Sequence, residues 1–326
     1  MSGAERTFFR DTDPLGFILF QRNCVNPDQV RALVSDLREC VGRADAPILI
    51  DQEGGRVQRL KPPHWRAAPA AARFGELAAV DRAGAAEAVR LNARLIAAEL
   101  VSLGITVNCA PLLDVPQSGT DPVIGDRALG TTAELAAFLG EAACEGFLDG
   151  GVLPVIKHIP GHGRAGVDSH AALPVVTASV AELEEVDFAP FRALSRMPWA
   201  MTGHVVYAGI DDGAPATTSA SVIERIIRGH MGFDGVLVSD DLSMQALDGT
   251  LGARAAAALA AGCDVALHCN GTMDEMMDVA TTTGPLSDAA VARIGRGEAM
   301  RREPGAFDRT AALARLGELL GEGEGA

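Results

Sequence analysis

Short apolar runs with the character of buried β-strands recur along the chain. They are GFILF (16–20), APILI (46–50), GITVN (104–108), LPVIK (153–157), PWAMT (198–202), GVLVS (235–239) and CDVALH (263–268). The runs are continuously apolar rather than alternating, as is typical of strands that are buried on both faces of a parallel sheet. Parallel strands need crossover connections, which are usually helices, so the pattern predicts an α/β fold.

Alanine-rich amphipathic stretches separate most of these runs and predict helices. The pair Asn26-Pro27 places an N-cap residue before a proline at the first helical position, and this helix is predicted to run to about Val41. Two further helices are predicted over 81–103 and 132–148, each with a glycine stop shortly after it.

The repeated strand–helix units predict a (β/α)8 TIM-type barrel, either regular or irregular with one regular strand missing. A doubly wound open sheet is the competing architecture, although no GxGxxG motif follows the first strand run. The chain of 326 residues has no linker-like segment and no internal repeat, so a single domain over 1–326 is predicted. Its polar, glycine-rich residues 321–326 are predicted to fray.

Composition and charge disfavour several classes of function. A formal net charge of −15 repels nucleic-acid phosphates and anionic membrane surfaces. The six cysteines form no CxxC pair, and several lie inside apolar runs, which predicts reduced, buried thiols. No stretch approaches the roughly 20 apolar residues that span a bilayer, and no export signal is recognised at the N-terminus. We therefore expect a cytoplasmic protein without nucleic-acid or membrane partners.

Chemically active polar residues follow the strand runs. They are Asp51 to Arg59 after the second run, Asp114 and Arg127 after the third, Lys157-His158 at the end of the fourth, His204 after the fifth and Asp240-Asp241 after the sixth. In a barrel the carboxyl ends of the strands meet on one rim, where active sites are found. The pattern therefore predicts an active site on that rim.

Each of these residues also has a structural interpretation. Asp51 could cap the next turn, and Arg59 and Arg127 could pair with surface carboxylates. His204 could be a hydrogen-bonded core histidine. The adjacent carboxylates after the sixth run cannot both enter a core cheaply, because like charge and desolvation oppose it. One of the two is predicted to line a polar cavity, and the residues alone do not say which.

The stretch KHIPGHGRAGVDSH (157–170) carries the most concentrated chemistry. Its strand end delivers Lys157-His158, and its glycine-rich loop delivers Asp168 and His170. An imidazole beside a carboxylate carries protons near neutral pH. The loop is therefore predicted to supply an acid–base pair and to close over a bound substrate.

Zinc binding is the alternative for this stretch. His158, His162 and His170 could ligate the metal together with a carboxylate. The neighbouring Lys157 opposes a cation, flanking glycines fix ligands poorly, and the spacing matches no HExxH pattern. No metal is therefore predicted.

The motifs together resemble glycoside hydrolase family 3, and within it the bacterial single-domain β-N-acetylhexosaminidases of peptidoglycan recycling. The matching segments, in the family's order, are GFILFQRN (16–23), DQEGGRVQRL (51–60), NCAPLLDV (108–115), PVIGDRALG (122–130), KHIPGHG with DSH (157–170), MTGHVVY (201–207) and SDDLSM (239–244). The pairing of KHIPGHG with DSH is the most specific of them. Ile159 and Gly203 stand where Phe and Ala are common, and neither departure removes a chemical group.

The resemblance implies roles for individual residues. It implies that Asp240 is the nucleophile, His170 the general acid/base and Asp168 the partner of His170. The residues implied to hold the N-acetylglucosamine unit are Asp51, Arg59, Arg127, Lys157 and His158. The implied reaction is retaining hydrolysis through a covalent glycosyl-aspartate, with GlcNAc-1,6-anhydroMurNAc fragments, with or without peptide, as substrates.

A short sugar substrate also suits the composition. One tyrosine and two tryptophans offer little aromatic surface for a long polysaccharide. No cofactor is implied, and the chain is expected to act as a monomer or weak homo-oligomer. A β-glucosidase-like or phosphorolytic glycosidase, a zinc hydrolase and a non-catalytic sugar-binding module are the alternative interpretations.

Overall fold

The computed structural model describes residues 1–119, 121–169 and 171–322. His170 and residues 323–326 lie outside the described residues, and with them the predicted proton donor and most of the predicted frayed terminus.

The chain divides into two compact units. Unit 1 comprises Met1–Ala110, Ala142–Pro154 and Arg301–Ala326, and unit 2 comprises Pro111–Glu141 and Val155–Met300. The single domain predicted over the whole chain stays a prediction.

Strands and helices alternate along much of the sequence. The strands are β1 (Phe17–Leu19), β2 (Ile48–Ile50), β3 (Gln52–Gly54), β4 (Val57–Gln58), β5 (Val107–Asn108), β6 (Leu153–Ile159), β7 (Val175–Val176), β8 (Trp199–Thr202), β9 (Val206–Tyr207) and β10 (Val236–Val238). The helices are α1 (Gly3–Thr12), α2 (Pro27–Val41), α3 (Ala72–Ala78), α4 (Arg82–Ser102), α5 (Ala133–Asp149), α6 (Val180–Glu182), α7 (Ala189–Ala193), α8 (Leu251–Ala261), α9 (Met273–Thr282), α10 (Asp288–Ala299) and α11 (Arg309–Leu319). Within the described ranges, no helix is long and apolar enough to cross a membrane.

Unit 1 contains a parallel sheet covered by helices. β2 pairs with β1 and with β5, and β5 also pairs with the first two residues of β6. The short strands β3 and β4 form an antiparallel hairpin directly after β2. Buried side chains of the sheet and of α2 and α4 form one core cluster, which includes Ile48, Ile50, Val34 and Leu100. Burial on this scale is what makes short, non-alternating strands stable.

The helices predicted in unit 1 begin and end at their capping residues. The Asn26 side chain accepts the backbone N–H of Gln29 at 3.0 Å at the start of α2, and Gly42 ends it with φ of 63°. At the start of α4, the Asp81 carboxylate accepts the N–H of Gly84 at 2.9 Å. Both predictions are confirmed, and the helix predicted over 132–148 is present as α5.

Unit 2 contains a second set of parallel pairings. β8 pairs with both β6 and β10, so that Ala200 lies opposite both Ile156 and Leu237. β7 and β9 form a separate parallel pair. β6 is buried along its whole length and carries Lys157 and His158 near its carboxyl end. The polar residues after β6, β8 and β10 therefore follow neighbouring parallel strands.

The prediction of a regular seventh strand over 263–268 is wrong. In the described structure this segment forms a single parallel bridge, between Val265 and Val238. The segment still runs beside β10, because Ser239 N–H donates to the carbonyl of Val265 at 3.0 Å.

Two side chains occupy positions that backbone groups would take in a regular ladder. Leu237 N–H donates to the carboxylate of Asp264 at 2.9 Å, and Leu267 N–H donates to the hydroxyl of Ser239 at 2.9 Å. Of residues 263–268, only Cys263 and Asp264 are buried, and side chains interrupt the pairing of this segment with β10.

Candidate active site

The two carboxylates that follow β10 have different surroundings. The Asp241 carboxylate accepts the N–H and the hydroxyl of Ser243, at 2.9 and 2.6 Å, and the N–H of Cys269 at 3.1 Å. The Asp240 carboxylate instead accepts the N–H of Asp241 at 2.8 Å through one oxygen. Its other oxygen lies 4.0 Å from Nε2 of His158. Asp241 is thus held by Ser243 of its own loop and by the backbone at Cys269, whereas Asp240 faces an imidazole from β6.

His158 is fixed by a buried carboxylate, that of Asp114. Oδ2 of Asp114 lies 2.7 Å from Nδ1 of His158, and the same carboxylate accepts the N–H of His162 at 2.6 Å. Burial raises the pKa of Asp114, but His158 and His162 outweigh burial and hold it below its usual value. The ionised carboxylate can only accept, so Nδ1 of His158 carries the proton and donates. Nε2 is left on the side of Asp240.

The surroundings of Asp240 favour its ionised form. Its side chain is 16% exposed, and burial raises its pKa. The neighbouring side chains of His158, His204 and Lys157, with the N–H of Asp241, outweigh burial and lower the pKa below its ordinary value. A carboxylate of this kind can attack or stabilise a developing positive charge at neutral pH.

Lys157 is delivered by the buried strand β6. It is 2% exposed, and its carbonyl accepts the N–H of Leu113 at 2.8 Å. The regular pairing of β6 with β8 shifts between Lys157 and Ile159, and the peptide bond between Lys157 and His158 is cis. The sequence-predicted residues Lys157, His158 and Asp240 lie close together in unit 2.

The loop after β6 is fastened by His162. This histidine is 3% exposed, and its Nε2 lies 3.0 Å from the hydroxyl of the buried Ser169. Burial lowers the pKa of His162 to about 4, with His158 acting in the same direction, so the ring is neutral at physiological pH. Asp168, the predicted partner of His170, immediately precedes Ser169, and its carbonyl accepts the N–H of Ala171 at 2.9 Å. His162 thus anchors the loop segment that carries Asp168.

A second attachment of this loop involves a buried carboxylate. Nε of Arg164 donates to Oδ2 of Asp187 at 2.6 Å, and Asp187 has only 1% of its side chain exposed. Burial raises the pKa of Asp187 to about 6 despite the nearby guanidinium. At Gly161, with φ of 139°, an added Cβ would lie 2.9 Å from the carbonyl oxygen of Asp187. Glycine is therefore required where the loop passes this residue, and the Tyr207 hydroxyl donates to the Gly161 carbonyl.

Arg127 lies in a loop that packs beside this region. Its Nη1 donates to the carbonyl of Val123 at 3.3 Å within its own loop. Ile124 and Ala128 of the same loop pack against Leu112, which forms a parallel bridge with Lys157. The structure thus brings the loop of Arg127 next to the segment that pairs with Lys157.

Asp51 and Arg59 are paired with each other in unit 1. Arg59 Nη2 donates to Asp51 Oδ2 at 2.9 Å, and the guanidinium lies 5.0 Å from the centre of the Phe20 ring. The amide oxygen of Gln52 accepts the N–H groups of Arg59 and Leu60, which fixes the hairpin that presents Arg59. Arg59 thus pairs with a carboxylate, but the Asp51 side chain is only 14% exposed and is not the surface carboxylate of the structural interpretation.

Two further polar residues of this region are fixed by buried hydrogen bonds. The carboxylate of Asp114, which follows the third strand run, orients His158. His204 is the hydrogen-bonded core histidine of the structural interpretation, since it is fully buried, with Nδ1 2.7 Å from the Thr217 hydroxyl and Nε2 3.0 Å from the Asp241 carbonyl. A carboxylate within an apolar segment, as in NCAPLLDV, is the signal that points to Asp114, because such a group needs buried donors.

Zinc ligation finds no support among the described residues. None of the described His, Cys, Asp and Glu side chains form a group of three or more that could hold a metal ion. Nδ1 of His158 faces Asp114, and Nε2 of His162 faces Ser169. The third histidine of the zinc alternative, His170, lies outside the described residues.

Comparison with known proteins gives consistent matches. Residues 4–296 match the glycosyl hydrolase family 3 N terminal domain. A beta-hexosaminidase from Alkalilimnicola ehrlichii is 42% identical over 277 residues, which cover 83% of this chain and 78% of that protein. Native NagZ from Neisseria gonorrhoeae superposes with a TM-score of 0.87 at 34% identity, covering 98% of this chain and 94% of NagZ.

The same Neisseria gonorrhoeae protein in complex with N-trifluoroacetyl-D-glucosamine superposes with a TM-score of 0.88 at 34% identity, covering 98% of this chain and 95% of that one. The matched domain has a TIM-barrel-like fold, so the α/β barrel predicted from the sequence is confirmed as the fold class.

Proposed function

Because this chain belongs to glycosyl hydrolase family 3, we propose that it is a retaining β-N-acetylglucosaminidase that removes non-reducing terminal N-acetylglucosamine from short peptidoglycan fragments. Its enzyme class is that of its relatives, a glycoside hydrolase of the β-N-acetylhexosaminidase type. The glucosamine derivative in the Neisseria gonorrhoeae complex supports an amino sugar as the ligand here. The proposed substrates are GlcNAc-1,6-anhydroMurNAc fragments, with or without peptide.

Asp240 is the proposed nucleophile, and the contacts of its carboxylate are the observation that supports this assignment. Its carboxylate has a lowered pKa and faces the imidazole of His158, whereas the oxygens of Asp241 accept bonds from Ser243 in the same loop and from the backbone N–H of Cys269. One Asp240 oxygen forms a bond to the anomeric carbon while the bond to the leaving oxygen breaks. The positive charge of Lys157 favours the ionised form of the attacking group until the sugar arrives.

His170 is the proposed general acid/base, with Asp168 as its partner. His170 gives its proton to the departing oxygen in the first step. It takes a proton from water in the second step, when the water oxygen attacks the anomeric carbon and Asp240 leaves. The carboxylate of Asp168 would favour the protonated imidazole before the first step. Proton transfer of this type contributes roughly a hundred- to ten-thousand-fold in rate.

The remaining assignments concern sugar binding. Lys157 and Arg127 offer charged donors to hydroxyl and acetamido oxygens, and His158 is proposed to contact the sugar through its ring. The Asp51–Arg59 pair is proposed to bind sugar hydroxyls as well, since a carboxylate accepts from two hydroxyls of one ring and the guanidinium donates. The enzyme is proposed to act in the cytoplasm as a monomer or weak homo-oligomer, in keeping with cysteines that form no disulfide among its described residues.

Covalent trapping tests the proposal. The enzyme is incubated with a 5-fluoro-N-acetylglucosaminyl fluoride, and the labelled peptide is sequenced by mass spectrometry. Label on Asp240 is expected, and label on any other residue contradicts the assignment. Parallel assays with nitrophenyl N-acetyl-β-D-glucosaminide and nitrophenyl β-D-glucoside, with and without phosphate, separate hydrolysis of an amino sugar from glucosidase and phosphorylase activity.

A further inference from the structure

We propose that Thr202, Thr217 and His204 are positioning residues, which hold the peptide segment of Asp240 by hydrogen bonds at both of its ends. We call these three residues the Thr–His chain. The inference rests on the proposed function, because the Thr–His chain is proposed to orient Asp240, the proposed nucleophile.

The Thr–His chain connects two backbone groups that flank the Asp240 side chain. The N–H of Asp240 lies 3.4 Å from the hydroxyl of Thr202. That hydroxyl lies 2.8 Å from the hydroxyl of Thr217, which lies 2.7 Å from Nδ1 of His204. Nε2 of His204 lies 3.0 Å from the carbonyl of Asp241. The bonds therefore form a continuous path from one side of Asp240 to the other.

The direction of every hydrogen bond in this path follows from one fixed point. The Asp241 carbonyl can only accept, so Nε2 of His204 carries a proton and donates. In the neutral ring Nδ1 then accepts, and the Thr217 hydroxyl must donate to it. Thr217 in turn accepts from the Thr202 hydroxyl, which leaves the Thr202 oxygen to accept the N–H of Asp240. The Gly203 carbonyl also lies 3.3 Å from the Thr217 hydroxyl, but the shorter contact to His204 takes its one proton.

Burial supports this assignment. Thr202, Thr217 and His204 are all 0% exposed, so water does not compete for their bonds. Burial also lowers the pKa of His204 although Asp240 and the Asp241 carbonyl act in the opposite direction. The ring is neutral at working pH, as the path requires.

Three separate elements meet in the Thr–His chain. Thr202 ends β8, His204 follows it, and Thr217 lies in the short 3₁₀-helix Ala216–Thr218. Asp240 follows β10, which pairs with β8. The Thr–His chain thus connects the segment after β10 to the end of the neighbouring strand, β8. A misplacement of a catalytic group by about 1 Å can cost roughly a hundredfold in rate. Loss of the hydrogen bonds of the Thr–His chain should therefore slow the chemical step and leave substrate binding largely intact.

A pair of substitutions at Thr217 separates positioning from simple packing. Thr217→Val keeps the shape and removes the hydroxyl, whereas Thr217→Ser keeps the hydroxyl and removes a methyl group. We expect Thr217→Val to lower kcat about 30-fold with KM within about threefold. The rate of covalent trapping should fall by the same factor. Thr217→Ser should stay within about threefold of wild type. Equal losses in both variants, or no loss in Thr217→Val, would overturn the proposal.

A spectroscopic measurement on the wild type is independent of activity. Side-chain ¹⁵N shifts of the histidines should show His204 as the neutral tautomer with the proton on Nε2, and Thr217→Val should shift its Nδ1 signal. A proton on Nδ1 of His204, or a charged ring at pH 7, would contradict the proposal. This result is obtained on the wild type, so it does not depend on whether a variant folds. Absence of wild-type turnover on the hexosaminide would instead count against the proposed function alone.

Discussion

The carboxylate of Asp114 fixes the ring of His158, with Oδ2 2.7 Å from Nδ1. The carboxylate also accepts the backbone N–H of His158 at 3.3 Å, so it controls both the position and the tautomer of this residue. The opposite ring nitrogen is then presented to Asp240. A buried anion therefore determines which atom of the imidazole the site can use.

Asp114→Asn should lower kcat/KM about 100-fold, because an amide can donate to Nδ1 and reverse the tautomer of His158. Steady-state kinetics with the nitrophenyl hexosaminide measures the change. The matched control is Asp149→Asn, which should leave kcat/KM unchanged. The Asp149 carboxylate pairs with Arg90 and Arg302 and contacts none of the proposed site residues that the structure describes. Activity of Asp114→Asn within threefold of wild type would show that the tautomer does not matter.

Substitution of the two adjacent carboxylates should give opposite results. Asp240→Asn removes the proposed nucleophile and should reduce kcat by at least about 1,000-fold while the protein stays folded. Asp241→Asn weakens bonds to Ser243 and Cys269 and should lower the free energy of unfolding by about 1–2 kcal/mol with much of the activity retained. Kinetics and urea unfolding of both variants provide the measurement. A larger activity loss in Asp241→Asn would reverse the assignment.

His162 should make the protein less stable in mild acid. Its pKa in the folded state is about 4, below the value of about 6.5 in an unfolded chain. The unfolded state therefore binds the proton first, and stability falls as pH drops from 6.5 towards 4. Between pH 7.5 and 5 this one group should cost about 2 kcal/mol of unfolding free energy.

The test of this pH effect uses urea unfolding of wild type, His162→Asn and His64→Asn at both pH values. His162→Asn should lose less stability than wild type between pH 7.5 and 5. His64 is exposed, so His64→Asn should follow the wild type. Parallel behaviour of His162→Asn and wild type would mean that the folded protein protonates this ring as readily as the unfolded chain does.

Arg164→Gln should destabilise the protein more at pH 8 than at pH 5. At pH 8 the substitution leaves the ionised Asp187 buried without its cation, which should cost about 3 kcal/mol. Asp187 has a pKa raised to about 6, so at pH 5 it is protonated and loses little with the guanidinium. The double variant Arg164→Gln/Asp187→Asn should recover at least half of the loss at pH 8. Equal losses at both pH values, or additive losses in the double variant, would contradict this account.

The sequence predicted what local chemistry determines. Asn26 and Asp81 cap their helices as the residue types require, and six of the seven continuous apolar runs contain parallel strands. The site needed contacts between distant segments. The carboxylate that orients His158 lies 44 residues before it, and the choice between Asp240 and Asp241 depends on what each one touches. No spacing rule in the sequence reports such pairings, because they form only when separate strands pack.

The interrupted pairing beside β10 has a consequence for how this chain can change. An ordinary ladder repeats identical backbone bonds, so a strand can slip along it and pair again. Here two side chains replace backbone groups, the carboxylate of Asp264 and the hydroxyl of Ser239. The Asp264 carboxylate is itself held by Arg228 at 2.8 Å and Arg293 at 2.9 Å. These bonds form in only one register of residues 264–267 against β10. Insertions or deletions between 264 and 267 should therefore abolish activity, whereas the same edits near the exposed Gly284 should be tolerated.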